Sequence, residues 1–117
     1  MDWLIEEQVL KEVEGYKEDS FIYLLHEESF IDLDAFKHLI TLCDQLPDFY
    51  KANGKTKNYV EIIRIILDRF EYILMCWSYH LNENDLFYIK NFQEMEEKEG
   101  IILINDEIRR ITGLLIF

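Results

Sequence analysis

Apolar residues recur every three or four positions through most of the chain, the spacing that gathers them on one face of an α-helix, and no stretch alternates long enough to read as a half-buried strand. Punctuation residues divide this pattern into about six helices. The first is predicted over residues 2–14, with Trp3, Leu4, Val9, Leu10 and Val13 near one face, Glu6, Glu7, Glu12 and Glu14 on the other, and Gly15 as its stop. The second starts near Asp19 or Ser20, either of which can cap free N–H groups. It carries Phe21, Ile22, Leu24 and Leu25 inward until about Ser29, leaving Glu27 and Glu28 on the wet side. Asp32 or Asp34 begins the third, where Phe36, Leu39, Ile40, Leu42, Cys43 and Leu46 form a stripe. Pro47 is expected to end it, because proline lacks the N–H and its ring collides with the preceding turn.

A loop is expected over 51–57, where Lys51, Lys55 and Lys57 meet no acid and Asn53-Gly54 is a turn pair. Asn58 followed by Glu61 reads as a capping box, and the fourth helix runs from there to about Leu81 as the spine of the fold. Arg64, Asp68, Arg69 and Glu71 make it too costly to be a membrane span. A fifth helix is expected from Asn82 or Asn84 through Leu86, Phe87, Ile89, Phe92 and Met95, fraying toward Gly100. The run Ile101-Ile102-Leu103-Ile104 is clustered enough to suggest an extended connector or edge strand. Asn105 then starts a last helix, with Asp106 and Glu107 in its first turn, where the helix dipole favours acids. The pattern thus predicts an all-α, single-domain bundle over residues 1–117, about six helices around a long central one at about 58–81, with a short extended segment at 101–104.

Composition supports a globular chain. Half of the 117 residues are hydrophobic, 15% are aromatic, and proline occurs once, so one core can form and disorder is disfavoured despite the charge. Cys43 and Cys76 lie inside apolar helical patterns and are expected to be buried, reduced thiols. The first residues lack a basic segment followed by an apolar one, so no signal peptide is expected and the cytoplasm is the default compartment.

Charge adds more. Eleven of the 24 acidic residues fall in the first 34 positions, opposed only by Lys11 and Lys17, so that this segment carries −9 of the total −12. Such a surface repels nucleic acid and anionic membrane and attracts basic partners through long-range steering.

The search for chemistry is largely negative. His26-Glu27-Glu28 resembles the start of a zinc-binding H-E-x-x-H helix, but position 30 is Phe30. The residues three before His26, His38 and His80 are Tyr23, Ala35 and Trp77, so the Glu-x-x-His pairs of a di-iron bundle are missing. There is no nucleophile elbow, no glycine-rich phosphate loop, and no histidine four to six residues after Arg64 or Arg69 as helical RNases of the HEPN kind require. No metal, no cofactor and no catalytic residue is expected.

In size, charge, helical content and absence of chemistry the whole chain resembles the small acidic immunity proteins of bacterial polymorphic-toxin and contact-dependent inhibition systems. The resemblance implies a protein that neutralises a cognate toxin, often a nuclease, in the cytoplasm, and no residue motif carries it. On this reading the partner is a basic protein, neither nucleic acid nor membrane, and the contact surface comprises Glu6, Glu7, Glu12, Glu14, Glu18, Asp19, Glu27 and Glu28, with Asp32 and Asp34 behind them. The alternatives are a structural helical protein that forms a homodimer through Ile111, Leu114, Leu115, Ile116 and Phe117, and an enzyme whose site is assembled only in space.

Overall fold

Ile5, Val9 and Val13 stand four residues apart, so a helix stacks them on one side, and in the computed structural model all three are buried. The structure describes residues 4–15 and 17–116. Among them are six helices and no strand: α1 (Leu4–Glu14), α2 (Phe21–Glu27), α3 (Leu33–Asn53), α4 (Tyr59–Leu81), α5 (Phe92–Glu97) and α6 (Gly100–Ile116). The expected all-α bundle is therefore the observed architecture. α1 packs across α3 and α4, α2 closes one corner against α1 and α3, and α6 lies on α3, α4 and α5. The shared core includes Phe21, Leu25, Phe36, Leu39, Leu46, Ile62, Ile66, Ile73, Ile104 and Ile111. Cys43 and Cys76 are buried and unpaired, as expected, and burial raises both thiols, Cys43 to about 12.

Three elements differ from the sequence reading. α3 does not stop at Pro47 but continues to Asn53, and Gly54 (φ 78°) ends it by donating its N–H to the Tyr50 carbonyl at 2.8 Å. An interior proline costs about 3 kcal/mol. Here Leu46 is buried just before it, Phe49 and Tyr50 pack on the core just after it, and the Tyr50 hydroxyl donates to Glu6 Oε2 at 2.6 Å, contacts that a broken helix would forfeit. The lysine-bearing loop accordingly shrinks to the residues after Asn53. Asn58 makes no side-chain cap there; its own N–H donates to Thr56 Oγ1 at 3.2 Å.

Residues 82–91 are not helical, and α5 begins only at Phe92. Short polar side chains take up the backbone that a helix would have used. Asn82 Oδ1 accepts from the Asn84 N–H, Asp85 Oδ1 from the Phe87 N–H, and His80 Nδ1 from the Ile89 N–H. The segment is pinned by Asn91, whose amide donates to the Ile31 carbonyl at 2.8 Å and accepts from the Ile31 N–H at 2.9 Å.

Residues 101–104 are the first turn of α6, not an extended connector. Ile101, Ile104, Ile108, Ile111 and Leu115 step by three or four and are all buried, so tertiary burial outweighs the modest cost of β-branched residues in a helix. Asn105, expected as a cap, lies within this helix and accepts from Trp77 Nε1 at 2.8 Å.

Candidate functional site

The ten acids proposed from sequence do not form one wet face. Successive helical residues are rotated by about 100°. Ile5, Val9 and Val13 thus define an arc on α1 whose edges are Glu6 and Glu12, while Glu7 and Glu14 lie opposite. Accordingly Glu6 (4% exposed) and Glu12 (5%) are buried, which removes both from the docking surface.

Each buried carboxylate has a structural partner set. Glu6 Oε2 accepts from the Tyr50 hydroxyl at 2.6 Å and the Thr56 hydroxyl at 2.8 Å, tying α1 to the end of α3 and the turn beyond it. Burial first, and then this bond to Glu6, push the Tyr50 phenol well above its ordinary value. Glu12 Oε1 accepts from Lys17 Nζ at 3.0 Å and lies 3.5 Å from His38 Nε2. The bond to Glu12 is the main cause of the upward shift of the Lys17 ammonium. Asp32 is also structural: it is the N-cap of α3 and accepts from the Ala35 N–H at 3.0 Å. Ser20, the other cap anticipated from sequence, accepts from the Tyr23 N–H at the start of α2.

Seven acids remain: Glu7, Glu14, Glu18, Asp19, Glu27, Glu28 and Asp34. Glu7 is exposed at the start of α1, beside a second cleft lined by Glu6, Leu10, Thr56, Lys57 and Asn58. Asp34 is exposed in the first turn of α3. Of the other five, Glu14 is half-buried and Glu18, Asp19, Glu27 and Glu28 are exposed; Glu14 and Glu27 line one cleft at the corner where α1 turns into α2, Glu18, Glu27 and Glu28 all act on Tyr23 there, and Asp19 lies beside Lys17 at 3.8 Å.

That corner depends on Gly15. Its φ is 74°, and a Cβ there would sit 2.7 Å from Ile22 Cγ2, so only glycine lets α1 end this close to α2. The result is a cleft of about 420 Å³ lined by Glu14, Gly15, Ile22, Tyr23, His26, Glu27, Arg69 and Tyr72. Two of these, Arg69 and Tyr72, come from α4, more than forty residues from the rest, and sequence reasoning did not connect them to the acidic segment.

The lining is held in place by specific bonds. Arg69 Nε donates to the Val13 carbonyl at 2.8 Å, satisfying the end of α1 where the dipole is negative, and its Nη1 lies 3.3 Å from Asp68 Oδ2. His26 Nδ1 is 2.8 Å from the Tyr72 hydroxyl, and His26 Nε2 is 3.8 Å from Glu27 Oε1. Burial, followed by the neighbouring Cys76 thiol, pushes the Tyr72 phenol up. Tyr23 is also raised, by partial desolvation and then by the charges of Glu18, Glu27 and Glu28, so the field of this corner converges on its ring.

The cleft offers two phenols, two carboxylates, an imidazole and a guanidinium. Its phenols and the Cys76 thiol behind it are moved away from ionisation, the opposite of what an activated nucleophile needs. Among the described residues no group of three or more His, Cys, Asp or Glu side chains is placed to hold a metal ion, and no helix is long and apolar enough to cross a membrane. Comparison of the chain with protein-family models, curated proteins and solved structures finds no match in any of the three.

Proposed function

We propose that this protein is a binding module for a basic protein, of the immunity type, which neutralises a toxin domain by covering its active site or the surface around it. One observation carries the reading: Glu14 and Glu27 line an open cleft whose Tyr23 also feels the charges of Glu18 and Glu28. Lys17, the cation of that turn, is already bound to Glu12 and close to Asp19 at 3.8 Å. Acids that the fold does not use, set beside Tyr23 and Tyr72, supply steering and aromatic contact area together. An inhibitor of a nuclease would present these carboxylates to the Arg and Lys side chains that otherwise grip phosphate. The chemistry asks for no catalytic residue, cofactor or metal, and a cytoplasmic location suits a protein that meets its toxin there.

The test is co-purification with a toxin domain encoded beside this gene, followed by reversal of Glu18, Glu27 and Glu28 to lysine. The expected result is loss of binding and a flatter dependence of affinity on salt. Unchanged affinity and salt dependence would remove this corner as the docking surface.

A homodimer is the second reading. Leu114 and Ile116 are about half exposed on α6, and Val60 is 74% exposed on α4, where Tyr59 bonds the Leu115 carbonyl at 3.1 Å and so brings the two helix ends together. Sedimentation that finds only monomer at high concentration would exclude it.

A further inference from the structure

The corner cleft has two kinds of wall. Ile22 and the rings of Tyr23 and Tyr72 give it apolar and aromatic surface, and Glu14 and Glu27 give it negative charge. Glu14 is half-buried and makes no hydrogen bond or ion pair among the described residues, while Glu27 has His26 Nε2 at 3.8 Å as its nearest basic group. The cation inside the cleft, Arg69, is committed to the Val13 carbonyl and to Asp68. A surplus of negative charge is thus left facing the cavity, next to ring faces that themselves attract cations.

A long basic side chain matches this lining group for group. Its aliphatic stem can lie on Ile22 and the tyrosines while its charged head reaches the carboxylates. Arginine fits better than lysine, because a flat, weakly hydrated guanidinium stacks on aromatic rings and pairs with carboxylates through two parallel bonds. At about 420 Å³ the cavity is near the lower end of the range for small-ligand clefts, sufficient for one side chain and its backbone attachment. We propose that the cleft between α1, α2 and α4 receives one arginine side chain from the basic partner and is the anchor point of docking. This rests on the reading of the acidic corner as a docking surface, and adds to it the residue type and the place it enters.

The cleft can be tested without the partner, by following the NMR spectrum of the intact protein at low ionic strength during titration with the capped tripeptide acetyl-Gly-Arg-Gly-amide. Matched peptides carrying norleucine or glutamate at the centre are the controls. Shifts confined to Gly15, Ile22, Tyr23, His26 and Tyr72 are expected for the arginine peptide, weakened at least about fivefold by E14Q/E27Q and retained in D34N. Equal shifts with norleucine, shifts spread over Glu7 and Asp34, or no shift up to about 20 mM would overturn the proposal. The single E27Q variant repeats the comparison if the double variant melts early. With a toxin partner in hand, the two readings separate. Binding lost on reversal of Glu18 and Glu28 but indifferent to E14Q/E27Q sinks the anchor alone, whereas no partner binding alongside specific capture of the arginine peptide sinks the immunity reading alone.

Discussion

Replacing Asn91 by alanine tests how the non-helical segment 82–91 is held. Among the described residues the Asn91 side chain is the hydrogen-bond partner of both the Ile31 N–H and the Ile31 carbonyl, and Ile31 is 1% exposed. Deleting the amide orphans one buried donor and one buried acceptor, each costing about 1–3 kcal/mol, so the variant should lose about 2–6 kcal/mol. A water entering the vacated space sets the lower end of that range. Against a typical total of about 5–15 kcal/mol this is a large fraction. Urea unfolding followed by tryptophan fluorescence is a direct assay, since Trp77 packs on Phe92, the residue after Asn91. With a urea slope of about 1–3 kcal/mol/M, the midpoint should fall by at least about 0.7 M while the slope is unchanged. N91D sharpens the test. Only a protonated carboxyl can both donate to the Ile31 carbonyl and accept from its N–H, so the folded state raises the pKa of this aspartate above its unfolded value near 3.9. Its stability deficit should therefore be smallest below about pH 4 and grow as pH rises through the folded pKa. A loss under about 0.5 kcal/mol for N91A, or an N91D deficit that does not grow with pH, would refute the clamp.

Gly15→Ala should cost about 1–3 kcal/mol, from the positive φ and the contact with Ile22, whereas Gly113→Ala, inside α6 with no positive φ and open space around it, should not destabilise; paired urea melts compare them. Glu6→Gln keeps an acceptor for Tyr50 and Thr56 but loses charge assistance, and should lower stability by about 1–2 kcal/mol in the same assay. Because Cys43 is raised to about 12, the unfolded thiol ionises first as pH climbs above about 9; stability is full below that value and falls by up to about 1.4 kcal/mol per pH unit from this group between 9 and 12. Tyr50 and Tyr72, also raised, act in the same direction, and alkaline thermal melts of Cys43→Ala against the parent isolate the thiol. The same burial predicts that both cysteines resist thiol reagents at pH 8 in native protein and react promptly in urea.

Much of this architecture was legible because helical periodicity is a local signal. The spacing predicts the fourth helix over about 58–81 and the structure has it at Tyr59–Leu81, since its apolar residues recur regularly between an asparagine at each end. Part of the candidate site was equally legible: on a helical wheel Glu6 and Glu12 border Ile5, Val9 and Val13. Placing all four glutamates on the opposite face overlooks that this arc has edges; Leu10 does pack against the core, and Trp3 and the Leu4 side chain lie outside the described residues. Where the sequence misled, two local rules competed. Pro47 and the Ile101–Ile104 run each disfavour a helix by a few kcal/mol at most, and each was overruled by burial that depends on distant residues, Glu6 in one case and α3 in the other.

Helical class, the buried thiols and the concentration of negative charge in the first 34 residues follow from the sequence by itself, because composition and spacing determine them without reference to partners in space. Which acids stay free, and what they surround, was decided only by the tertiary structure. Glu12 meets Lys17 and His38, Glu6 meets Tyr50 and Thr56, and Arg69 and Tyr72 reach the α1–α2 corner across more than forty residues. A carboxylate's role is set by its desolvation and by the donors within about 3 Å of it, and those are properties of packing.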